Sequence, residues 1–123
     1  TALTIIAAGE MVHYALEAAR ILEQEGIDAR VLDMHTIKPL DETAVVDAAR
    51  QTGAIVTVEE HSVYGGLGSA VAEVLCQNEP VRMKILGIPD THVIAGESGE
   101  VFRYYGLDGA GIAKAAKALL EEK

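Results

Sequence analysis

Short, uninterrupted apolar runs alternate along this chain with longer segments whose apolar positions return every three or four residues. "LTIIAAG" (Leu3 to Gly9) is the first such run, closed by a glycine. "EMVHYALEAARILEQEGI" follows, with Val12, Ala15, Leu16, Ala19 and Leu22 at helical spacing and Gly26 at its end. "DARVLDM" (Asp28 to Met34) reads as a second strand, and "HTIKPL" as a loop in which Pro39 breaks any ladder. Asp41 is placed to cap the next helix, which turns Val45, Val46 and Ala49 inward and stops at Gly53. "AIVTVEE" (Ala54 to Glu60) is the third strand; a glycine run and a helix through Leu67, Val71, Val74 and Leu75 come after it. "VRMKILGI" is the fourth strand, with Pro80 before it and Pro89 after it. The long loop "PDTHVIAGESG" and a short helix "EVFRYYG" lead to the last helix, which Asp108 can cap and which buries Ile112, Ala116 and Leu119.

Strands that read as apolar throughout, rather than alternating, belong to parallel sheets covered on both faces. The expected fold class is therefore α/β, a three-layer αβα sandwich with a mostly parallel, Rossmann-like sheet in one domain spanning 1–123. Right-handed crossovers would bring every strand-to-helix loop to one rim. Those loops are Gly9-Glu10, "MHTIKPLD", "EEHSVYGGLG" and "PDTHVIAGESG".

Composition changes this picture in three respects. Hydrophobic residues make up 50% of the chain but aromatics only 4%, which implies an aliphatic, alanine-rich core with closely packed helices. A formal net charge of -9 makes nucleic acid and anionic lipid poor partners. Cys76 is the single cysteine, so neither an internal disulfide nor a cysteine-based metal site can form; its apolar surroundings predict a buried small hydrophobe. These features fit a reducing, cytoplasmic setting. The start at Thr1-Ala2-Leu3, directly before a strand, suggests a domain cut from a longer polypeptide or a processed terminus.

The chemistry-bearing residues cluster in "EEHSVYGGLGSA", Glu59 to Ala70. Gly65, Gly66 and Gly68 lie between a strand and a helix, where amides can cradle phosphate. Their G-G-x-G spacing after the third strand is not the dinucleotide fingerprint, and a P-loop Lys-Ser/Thr is missing. A tight turn with close helix–strand packing accounts for them more simply. Glu59, Glu60 and His61 could form an acid–base pair, but neighbours on a strand point to opposite faces, so Glu60 and His61 share one substrate only if the strand has already ended. "GLGSAV" and "GESGE" both miss the G-x-S-x-G of a nucleophile elbow. His13, His35, His61 and His92 fall on separate segments with no i, i+4 pair for zinc. No residue assembles into a self-sufficient catalytic set.

Three blocks in order carry a resemblance that covers nearly the whole chain. They are "TIIAAGEMVHYALEAARILEQEGIDARVLDMHTIKPLDETAV", "GAIVTVEEHSVYGGLGSAVAEVL", and "GIPD" followed by "GESGEVFRYYGLD". Together they resemble the C-terminal domain of the transketolase family, which includes transketolase, deoxyxylulose-phosphate synthase and the β subunits of 2-oxo acid dehydrogenases. The "GESG" turn leans towards transketolase itself, above all the two-chain kind. His92-Val93-Ile94-Ala95 departs from the shorter aromatic approach of many relatives.

The resemblance implies enzymes that use thiamine diphosphate and a divalent metal, held by two other domains across a dimer interface. One of those supplies a Gly-Asp-Gly…Asn motif, which this chain lacks, since "GLDGAG" has the wrong order. The other supplies a glutamate that activates the aminopyrimidine ring. The chain is thus expected to bind no cofactor or metal, to be inert alone, and to support assembly of a two-carbon ketol transferase. Its expected partners are the pyrimidine- and diphosphate-binding domains of the same enzyme, in a homodimeric holoenzyme. Glu60 and His61 would hydrogen-bond across to the pyrimidine-binding domain or the partner subunit, and Gly65 and Gly66 would turn the chain beside that surface. Gly68, Glu97 and Ser98 complete the candidate interface loops. A stand-alone ligand-binding or regulatory module on the same fold is the alternative of another class.

Overall fold

The computed structural model describes residues 2–34, 41–62, 66–88 and 106–121, with the backbone alone described for 60–62 and 88. Four parallel strands form one sheet: β1 (Leu3–Ala7), β2 (Ala29–Asp33), β3 (Ala54–Ser62) and β4 (Arg82–Ile88), in the order β2-β1-β3-β4. The helices are α1 (Met11–Gln24), α2 (Glu42–Thr52), α3 (Leu67–Asn78) and α4 (Gly109–Glu121). The α/β sandwich expected from the sequence is the observed architecture. The short "EVFRYYG" helix lies outside the described residues, save for its last glycine.

The central strand explains the sandwich. All five residues of β1 are buried, so both of its faces need covering. Leu3, Ile5 and Ala7 join Ala54, Val56 and Val58 of β3 in one core with α1 and α4. Ile6 and Ile55 face the other way, into a second core with Val45, Ala48 and Ala49 of α2 and Leu67, Val71 and Leu75 of α3. Period two along each strand divides the apolar residues between the two layers.

Three expectations need correction. The buried stripe of α1 is Met11, Ala15, Ala18 and Leu22; Val12 and Ala19 are only half-buried and Leu16 is 46% exposed. The helix presents its small residues inward, where Ala113 and Ala116 of α4 share the same core, and this rotates Leu16 outward. Cys76 is exposed, not buried. The α3 stripe runs through Leu67, Val71 and Leu75, and Cys76 stands about 100° round the helix from Leu75. Finally, β3 continues through Ser62, two residues past its predicted end, and Ser62 pairs with Ile88 after a register irregularity.

The helix ends follow their local chemistry. Asp41 accepts from the Ala44 amide at 3.1 Å, and Gly53 closes α2 in the left-handed region at φ 72°. Asp108 accepts from the Gly111 amide at 2.9 Å. At the other end of α4, one Arg82 guanidinium nitrogen donates to the carbonyls of Leu119 and Leu120 at 3.2 and 3.3 Å, a cation at the negative end of the helix dipole. Lys117 pairs with Glu25 just past α1, tying the two helices of that layer at their rim. Among the described residues no helix is long and apolar enough to cross a membrane.

The caps differ in a way that can be measured. Asp108→Ala should cost α4 about 1 kcal/mol, read as lost hydrogen-exchange protection of its amides. Glu10→Ala should leave α1 within about 0.5 kcal/mol, because Glu10 precedes that helix without a capping side-chain bond.

Candidate functional site

From β1 the chain winds outward to β2, then returns past β1 to β3 and β4. The carboxyl ends of β1 and β3 are therefore the switch point of the sheet, the place where open α/β folds take ligands. The amino ends of α1 and α3 stand there, each a potential anion site.

At both ends some of these amides are already bonded within the chain. At α1 the turn consumes them: the Met11 amide donates to the Ala8 carbonyl and the Val12 amide to the Gly9 carbonyl, both at 3.2 Å. At α3 the residue before the helix is Gly66, which has no side chain with which to cap. The cap comes instead from the preceding strand. Ile55, Thr57 and Glu59 follow one another at period two on the α2/α3 side of β3. Glu59, only 4% exposed, receives the Gly68 amide on Oε2 at 2.9 Å. A carboxylate here meets orphan amides and the positive end of the helix dipole, so its burial is compensated by a charge-assisted bond.

Both glycines are explained by what they touch. A Cβ on Gly66 would overlap the Glu59 carboxylate, lying 2.8 Å from its Cδ. A Cβ on Gly68 would lie 2.5 Å from Ile85 Cγ2 and 3.0 Å from Thr57 Oγ1. Close approach, rather than a phosphate cradle, is the use these two glycines serve. Under Gly68 the Thr57 hydroxyl is fully buried, with no hydrogen-bond partner among the described residues.

Of the seven candidate loop residues, the structure brings Gly66 and Gly68 together, on Glu59. Glu60 and His61 are placed only by their backbone, within β3. Gly65, Glu97 and Ser98 lie outside the described residues. The residue that sequence reasoning missed is Glu59, treated there only as part of an acid–base pair. Its signal was present: an acid at a strand end, followed by a helix whose N-cap position is glycine. His13 is exposed on α1 and stacks edge-on against Tyr14 with ring centroids 5.3 Å apart.

A parallel α/β sandwich whose α3 amino end carries a carboxylate from the preceding strand defines a Rossmann-like domain. The family model for the transketolase C-terminal domain matches residues 1–112, and the chain belongs to that family. It is similar to one subunit of the apulose-4-phosphate transketolase of Phocaeicola vulgatus, 56% identical over 94% of this chain and 37% of that protein. It is also similar to 1-deoxy-D-xylulose-5-phosphate synthase 1 of Geobacter sulfurreducens, 47% identical over 97% of this chain and 19% of that protein. Among solved structures, a split gene transketolase described as an inactive beta4 tetramer superposes with a TM-score of 0.88 at 48% identity, covering 97% of this chain and 39% of that one. The chain thus spans less than two fifths of each of these relatives.

Thiamine diphosphate with a divalent metal does not fit the described residues. Its diphosphate would meet the Glu59 carboxylate at the amino end of α3. Among the described residues no group of three or more His, Cys, Asp or Glu is arranged to hold a metal ion.

Two substitutions separate the packing from the orphan hydroxyl. Gly68→Ala should destabilise the domain by about 1–3 kcal/mol, since Ile85 and Thr57 leave no room for a methyl. Thr57→Val keeps the shape and removes an unpaired polar atom, so stability should stay level or rise by about 1 kcal/mol. Urea unfolding measures both, and a clear loss for Thr57→Val would count against the unpaired state.

Proposed function

We infer that this chain is the C-terminal assembly and support domain of a thiamine-diphosphate-dependent transketolase, with the two-chain form as the best fit. The holoenzyme transfers a two-carbon ketol unit from a ketose phosphate to an aldose phosphate. The cofactor and its metal belong to the pyrimidine- and diphosphate-binding domains, and this chain gives them a rigid surface on which to assemble as a dimer. The observation that carries the reading is Glu59 at the α3 amino end, which this fold would otherwise offer to an anion. Family membership supports it, as do the names of the relatives, one a transketolase subunit and one a split-gene transketolase. The deoxyxylulose-phosphate synthase relative favours the same support role in a sister enzyme as the second reading.

In this role Glu60 and His61, whose backbone stands at the rim end of β3, are the proposed contacts with the pyrimidine-binding domain or the partner subunit, and Gly65, Glu97 and Ser98 are proposed for the same surface. The decisive experiment mixes the full polypeptide carrying this chain with the polypeptide carrying the thiamine-binding domains. Ketol transfer should appear only in the mixture. His61→Ala should weaken the association constant by about tenfold, equal to about 1.4 kcal/mol, while turnover per assembled enzyme stays normal. Assemblies that form normally but do no chemistry would reject the support role of His61.

A further inference from the structure

We draw no further inference here: the strongest candidate, the small groove between the outer edge of β4 and α4 lined by Met83, Lys84, Ala115, Ala118 and Leu119, carries no proposal because nothing in the structure shows what covers it.

Discussion

One bond from a strand to the helix that follows it fixes the first turn of α3. The Gly68 amide would be one of the unpaired donors that begin every helix, and Gly66 cannot cap it. Glu59 would be a buried carboxylate, which is costly without a partner. Each solves the other's problem, and the 2.9 Å contact joins them. Because the pairing requires the strand and helix to approach closely, it also dictates glycine at 66 and 68, where any Cβ would meet Glu59 or Ile85. At Gly66 the missing side chain leaves room for the Glu59 carboxylate, and at Gly68 for Ile85 and Thr57.

The sheet beneath supplies the rigidity that this contact needs. β1 and the first six residues of β3 are buried, and the residues of both divide by parity between two helix layers. A strand so placed cannot shift by one residue without exchanging its two faces. Glu59 is consequently fixed on the α2/α3 side by the same period that fixes Ile55. The opposite layer is held differently, through small residues on α1 and α4 and through Arg82 and Lys117 at the ends of those helices. The placement of Glu59 comes from the sheet and α3.

Much of this was legible in the order of residues. Unbroken apolar runs meant a parallel sheet, and the Asp41 and Asp108 caps and the Gly53 stop read correctly because each acts over three or four neighbouring residues. What failed depended on distant partners. Leu16 and Cys76 belong to apolar stretches, but the rotation of a helix about its axis is set by what packs against it. On α1 the small faces of Ala15 and Ala18 share a core with α4. Glu59 was misread for the same reason. Local spacing shows two acids and a histidine side by side, whereas only the fold shows that the first acid is consumed nine residues further on.

The crevice at the carboxyl ends of β1 and β3 is a ligand site in many open α/β proteins because free helix amides converge there. In this chain the Met11 and Val12 amides of α1 are spent on its own turn and the Gly68 amide of α3 is taken by Glu59. In the proposed support role these internal bonds are an advantage. An unfilled amide cluster facing a partner would demand an anion from it or be left unsatisfied at the interface, and a buried unsatisfied donor costs about 1–3 kcal/mol. Supplying the anion from within removes that demand, so the surface beyond it can be shaped for a partner rather than for a phosphate.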